Sequence, residues 1–92
     1  MYILLCENDN LYTGSTKYLE RRYKQHLSGE GANFTRKHKP IKIAYTEEFS
    51  RIDHAFYREK QVQRWSHEKK LALVNGDEKK LKELSKKRFG KR

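Results

Sequence analysis

Tyr2-Ile3-Leu4-Leu5-Cys6 is an unbroken apolar run of the length of a strand covered on both faces. Glu7-Asn8-Asp9-Asn10 is a dense turn signal, and Leu11-Tyr12-Thr13 resumes the strand, so the two runs predict a hairpin. The loop length decides which way Tyr12 points. A four-residue loop pairs Cys6 with Leu11 and sends Tyr2 and Tyr12 to opposite faces. A three-residue loop at Asn8-Asp9-Asn10, with Asn10 left-handed, pairs Cys6 with Tyr12 and puts Tyr2, Leu4, Cys6 and Tyr12 on one face. The pattern leaves both open.

Gly14 ends the second strand, and Ser15 or Thr16 can cap the helix that follows. Between Lys17 and Ser28, where each residue turns by about 100°, Leu19, Tyr23 and Leu27 form a buried stripe with His26 inside its edge. Arg22 lies beside that edge, one turn before His26. Ser28-Gly29-Glu30-Gly31 stops the helix. Residues 30–40 read as a glycine-containing loop with a basic end, Arg36-Lys37-His38-Lys39, closed by Pro40. Ile41, Ile43 and Tyr45 then alternate with Lys42, Ala44 and Thr46 as a third strand.

Ser50 or Asp53 starts a second long helix that ends near Trp65. On a helical wheel, Ile52, Ala55, Phe56, Glu59, Val62 and Gln63 fall within an arc of roughly 120°. Glu59 is near the middle of it. A carboxylate on a core-facing stripe is costly unless paired or metal-bound; a neighbouring arginine is one answer, a functional site the other. Ser66 caps a short helix through Val74, Asn75-Gly76 ends it, and Asp77 caps a last helix with Leu81 and Leu84 on one face. From Lys79 to Arg92, eight Lys and Arg stand against one Glu, a docked helix fraying into a basic arm. The expectation is one domain over residues 1–92, with a core of about 1–75 and a basic helix and tail at about 77–92. Its class is α/β of the α+β type, a small three-stranded antiparallel sheet flanked by helices.

Composition narrows the function. Of 92 residues, 22 are Lys or Arg and 12 Asp or Glu, a formal charge of +10 that points to a polyanion, nucleic acid first. A merely solubilising surface is the alternative reading. The single cysteine excludes an internal disulfide and any multi-cysteine zinc module, and it suits a reducing compartment. No run approaches the roughly 18 apolar residues of a membrane span. Met1–Cys6 lacks the basic leader and small-residue cleavage site of a signal peptide. The expected location is therefore cytoplasmic, the bacterial cytosol or nucleoid, with no membrane and no small-molecule cofactor.

The chain carries no Gly-rich phosphate loop before Lys-Ser/Thr and no His-Glu-x-x-His, and its four histidines lack zinc-ligand spacing. What remains is two tyrosines on a hairpin, an arginine and a histidine on one helix, and an off-pattern glutamate on another. That set suits phosphodiester cleavage. One carboxylate can hold hydrated Mg²⁺, an arginine can stabilise phosphoryl charge, and a tyrosine or histidine can deprotonate water.

Tyr2-Ile-Leu, Leu11-Tyr12-Thr13-Gly14 and Leu19-Glu-Arg-Arg22-Tyr-Lys-Gln-His26 together resemble the GIY-YIG nuclease domain. Gly29–Arg36, Arg58-Glu59-Lys60 and Trp65–Asp77 resemble its small single-domain UPF0213-type bacterial branch. The resemblance implies the three-stranded fold and a site with one divalent metal. Tyr2 and Tyr12 would flank the attacking water, Arg22 would bind the scissile phosphate, and His26 would assist proton transfer or orient a tyrosine. Glu59 would hold Mg²⁺ or Mn²⁺. It also requires both tyrosines at one site, and so the three-residue loop or an equivalent bulge. The first motif's glycine is absent, Tyr18 stands where a capping Asp is usual, and Asn75 is the nearby candidate for a late site asparagine. The expected function is a metal-dependent endonuclease hydrolysing DNA, with branched or single-stranded DNA as candidate substrates and DNA repair as a candidate setting. A non-catalytic DNA- or RNA-binding module on the same scaffold is the alternative. Lys17, Arg21, Arg36, Lys37, Lys39 and Lys42 are the candidate phosphate-binding cations.

Overall fold

A central strand that must be apolar at every position organises the chain. In the computed structural model, which describes residues 1–90 and their side chains through residue 86, β1 (Tyr2–Cys6) lies between β2 (Leu11–Gly14) and β3 (Pro40–Thr46) in an antiparallel sheet of order β2-β1-β3. Five helices follow or intervene among the described residues: α1 (Leu19–Leu27), α2 (Asn33–Lys37), α3 (Ile52–Gln63), α4 (His67–Val74) and α5 (Glu78–Gly90). This is the α+β architecture the sequence predicts. Ile3 joins Leu11, Val62 and Leu73 in one core, closed by Trp65 and Leu81. Tyr2, Leu4 and Cys6 face the other way, against Leu19 and Tyr23 of α1 and Ile43 of β3. With both faces covered, no polar residue is tolerated in β1.

The hairpin differs in detail from both sequence alternatives. The Cys6 N–H donates to the Asn10 carbonyl at 2.8 Å, so the loop is Glu7-Asn8-Asp9. Asn8 and Asp9 take φ of 60°, whereas Asn10, expected to be left-handed, is extended. Tyr12 therefore lies opposite Leu4 and not Cys6. A two-residue change of register leaves the faces unchanged, so Tyr2, Leu4, Cys6 and Tyr12 still share one side.

The expected alternation of β3 is broken. Register shifts opposite Ile3/Leu4 and Leu5/Cys6 place Ile43 across from Leu4 and Tyr45 across from Ile3, hence in opposite cores, and leave Ile41 exposed. The stretch expected to be a loop holds the short α2, which buries Thr35.

Two helical stripes are also rotated from expectation. In α1 the covered side holds Leu19, Tyr23 and buried His26, and Leu27, about 80° away from Leu19, is exposed. In α3 the covered line is Ala55, Glu59 and Val62; Ile52, Phe56 and Gln63 lie on the open side. Ser66 caps α4 by accepting the Lys69 N–H, and Asp77 caps α5 by accepting that of Lys80, as their positions predict. Neither α1 nor α3 has the expected side-chain cap: α1 starts at Tyr18, whose N–H goes to Thr16 Oγ1, and α3 starts at Arg51. Asp53 sits in the first turn of α3, paired to Arg51 at 3.0 Å. α5 rests on the core through Leu81 and pairs Lys80 with Glu68 of α4. The end of the basic arm, Lys91-Arg92, lies outside the described residues. No described helix is long and apolar enough to cross a membrane.

Candidate active site

Strand pairing sets Tyr2 directly opposite Gly14. A Cβ on Gly14 would fall 2.5 Å from Tyr2 Oη, so only glycine lets the phenol lie across β2. His26 reaches the same phenol from α1. Its Nε2 is 2.8 Å from Tyr2 Oη, and its Nδ1 is 2.7 Å from Thr35 Oγ1. Gly31 permits this approach, since a Cβ there would come 2.8 Å from the imidazole Cγ. Thr35 also accepts the Ala32 N–H and donates to the Ala32 carbonyl. A hydroxyl–imidazole–hydroxyl chain thus joins β1, α1 and α2 inside the protein.

Tyr12 packs its ring 5.1 Å from His26 and 6.4 Å from Tyr2. Its other neighbour is Phe34, stacked at 5.9 Å, which in turn meets His38 at 4.8 Å. Arg22, half-buried one turn before His26, donates from Nη1 to Gln25 Oε1 at 3.0 Å.

Glu59 is 8% exposed and faces the end of β2 from α3. Ser15 Oγ donates to its Oε1 at 2.6 Å and Gln63 Nε2 to its Oε2 at 2.7 Å, while the same Gln63 amide reaches the Thr13 carbonyl at 3.2 Å. Lys60 Nζ stands off at 3.7 Å. The arginine expected as an alternative partner is engaged elsewhere: Arg58 grips Glu47 with two hydrogen bonds, at 2.9 and 3.1 Å. Among the described residues, no three His, Cys, Asp or Glu gather as metal ligands. A lone, buried carboxylate fits Mg²⁺, which keeps several waters and takes substrate oxygens. It does not fit a closed zinc cage.

The electrostatics tie these groups together. Burial pushes Tyr2 up to about 12; the Arg22 guanidinium opposes the rise, and the Tyr12 hydroxyl and the Glu59 charge add to it. Tyr12 is raised by burial, again with Arg22 opposing and Glu59 adding. His26 is lowered, chiefly by burial and further by the Arg22 cation. Arg22 and Glu59, from different helices, therefore act on the same two tyrosines. Tyr2, Tyr12 and His26 are in contact, and Arg22 and Glu59 bear on the two phenols through their charge.

The candidate phosphate-binding cations spread over the surface. Lys17 borders a cleft beside Tyr2. Arg21 lies over Tyr18, facing a depression it shares with Lys24 and Gln25. Arg36 donates to the Gly29 carbonyl, Lys37 ends α2, the Lys39 backbone docks on Glu7, and exposed Lys42 of β3 lies opposite Leu5 of β1. Asn75 is the exposed C-cap of α4. Sequence reasoning missed Ser15, Gln63 and Thr35. Gln63 did carry a signal, standing four residues after the off-pattern glutamate, where helix side chains meet.

Residues 1–72 match the model of the GIY-YIG catalytic domain. The chain is 36% identical over 75 residues to a UPF0213 protein of Staphylococcus saprophyticus, covering 82% of this chain and 92% of that one. It is 40% identical over 74 residues to a UPF0213 protein of Natronomonas pharaonis, covering 80% and 87%. A UPF0213 protein of Clostridium perfringens is 40% identical over 75 residues, covering 82% and 81%. No solved structure matches.

Proposed function

The chain belongs to the GIY-YIG catalytic domain family, a nuclease family, and from that premise we propose that it is a divalent-metal-dependent endonuclease hydrolysing DNA phosphodiester bonds. One observation carries the reading: a buried tyrosine hydroxyl bonded to an imidazole whose charged form is disfavoured, under the opposing charges of one arginine and one buried carboxylate.

At neutral pH Tyr2 holds its proton, since its value is about 12. It therefore works as a relay and not as a standing phenolate. Tyr2 Oη takes a proton from the attacking water as its own passes to His26 Nε2, and Thr35 holds Nδ1–H, the tautomer this requires. Tyr12 positions the water from the opposite ring. Arg22 meets the charge that develops on the phosphoryl oxygens. Glu59 is the residue to hold Mg²⁺ or Mn²⁺, with Ser15 and Gln63 fixing its carboxylate. Once bound, the ion supplies Lewis-acid polarisation of the phosphate and an acidified water. Lys17, Arg21, Arg36, Lys37, Lys39 and Lys42 are the groups to contact flanking phosphates, and engagement of about five of the six gives a log–log salt slope near −4.5 on duplex DNA.

The test is cleavage of duplex, flap, junction and single-stranded DNA with Mg²⁺ or with chelator, using wild type and Glu59→Ala. Mg²⁺-dependent nicking that Glu59→Ala abolishes, with DNA binding kept, is the expected result. Nicking that persists in purified Glu59→Ala sinks the proposal. Salt-sensitive binding with no cleavage under any metal would leave the binding module in its place.

A further inference from the structure

Beside Tyr2 opens a cleft of about 430 Å³, within the range of small-ligand sites. The start of α1 supplies one wall, with Leu19 below and Lys17 at the rim. The loop after β3 and the first turns of α3 supply the other, through Phe49, Ile52 and Ala55. Tyr2, whose hydroxyl meets His26, closes the inner end, and Ala55 lies one turn before Glu59. Tyr2 is thus the residue through which the cleft borders the candidate active site.

The exposed phenylalanines differ in their partners: Phe56 is covered by the Lys60 ammonium at 4.8 Å. Phe34 packs between the rings of Tyr12 and His38. Phe49 is 40% exposed and has no ring neighbour among the described residues. Two cations, Lys17 and Arg51, and two carboxylates, Glu47 and Glu48, also line the cleft, and Glu47 is already held by Arg58. A part-exposed ring with no aromatic neighbour, in a partly apolar cleft whose Lys17 can meet a phosphate, has the chemistry of a nucleobase site.

We infer that this cleft is a nucleobase pocket, which takes the base of a nucleotide flanking the scissile phosphate and stacks it on Phe49. The inference rests on the nuclease reading for the position of the phosphate and deepens it by naming the substrate class. A base enters such a pocket only when it is not paired, so the substrate must carry an unpaired nucleotide beside the cut. A second copy of the chain, itself of charge +10, would bring like charge against Lys17 and Arg51 at the cleft.

The test is binding of a short single-stranded oligonucleotide in chelator, with an abasic site moved one position at a time along it. In wild type, one position should lower affinity about tenfold, in line with the loss of one base–aromatic stack. Phe49→Ala should lower affinity for the intact strand about tenfold and remove the penalty at that position. Phe49→Trp should restore both, and fully paired duplex should bind wild type and Phe49→Ala alike. Phe49 is a loop residue outside every helix and strand, and thermal melting of each variant checks that the fold is intact. An abasic penalty equal in wild type and Phe49→Ala overturns the proposal, as does an equal loss on duplex and single strand, or a concentration-dependent dimer that Phe49→Ala dissolves. Because no metal is present, the outcome is independent of cleavage. Coupling without cleavage keeps the pocket and sinks the nuclease, and cleavage without coupling does the reverse.

Discussion

Two carboxylates flank the sheet, and they are built for opposite ends. Glu47, just after β3, is gripped by Arg58 and also accepts the Tyr45 hydroxyl at 2.6 Å. Its charge is matched, and burial, which would raise it, is outweighed by Arg58 and Tyr45, so its carboxyl stays below the usual range. Burial first, and then the Glu47 carboxylate, pushes the Tyr45 phenol up to about 12. Glu59, on α3, is the more buried of the two and is hydrogen-bonded by a hydroxyl and a side-chain amide, both neutral. Neutral donors orient a carboxylate without cancelling its charge. Arg58 spends the Glu47 charge on structure through two short hydrogen bonds, whereas the half-exposed Lys60 ammonium, 3.7 Å from Glu59, is a loose partner that leaves the carboxylate available to another cation.

The comparison predicts a division of labour that mutants can break. The largest effect is on rate. Glu59→Ala should reduce cleavage by roughly 10²–10³-fold or more, the scale of losing one group that stabilises developing charge, and Arg22→Ala should fall in the same range. Glu47→Gln should leave the rate within a few-fold in a steady-state cleavage assay at a temperature where it is folded. A rate collapse in Glu47→Gln would erase the distinction.

Stability should show the reverse order. Glu47→Gln leaves the Arg58 guanidinium, which has donors only, without its charge partner and should cost about 2–3 kcal/mol in urea unfolding, between surface and fully buried ion pairs. Glu59→Gln should change stability by less than about 1 kcal/mol, because the Ser15 hydroxyl can turn to accept from the new amide while Gln63 Nε2 still donates to its oxygen and to the Thr13 carbonyl.

A smaller effect concerns pH. His26 in the fold has its value below 6.5, because burial and then Arg22 disfavour the imidazolium. Cleavage that needs neutral His26 should decline on an acid limb whose midpoint lies below pH 6.5, and His26→Gln should abolish that limb along with most of the rate. The same shift makes the unfolded state bind the extra proton. The stability His26 contributes is complete above pH 6.5 and falls as pH drops toward its folded value, which urea titrations at pH 7.5 and 5.5 can check. The smallest effect is at Thr13, whose buried Oγ1 makes no hydrogen bond among the described residues. Thr13→Val should be neutral or stabilising by about 1 kcal/mol, raising the melting temperature without touching either carboxylate.

Much of this was legible in the chain before its structure. The apolar run of β1 announced a central strand, the wheel picked out Glu59, and the one-turn spacing put Arg22 and His26 together. What stayed hidden depended on tertiary rotation. Ile52 and Phe56 looked like core because α3 carries an apolar stripe wider than the sheet can cover; packing is centred on Ala55 and Val62, and the remainder lies open along the side of α3 that also carries Gln63. The β3 bulges split Ile43 from Tyr45 against a clean alternation. Ser15 resembled a helix cap, and only the approach of α3 shows its hydroxyl committed to Glu59. α2 is one turn and a little more, too short for any period to reveal it.

The order β2-β1-β3 also has a consequence for the ribosome. The first strand to be synthesised is the one that ends in the middle of the sheet, yet its second neighbour is made only after α1 and α2. Until β3 arrives, Tyr-Ile-Leu-Leu-Cys carries an unpaired apolar edge, the kind of segment that joins other nascent chains. Synthesis that pauses between Leu27 and Pro40 should therefore be the step at which this protein is most readily lost to aggregation.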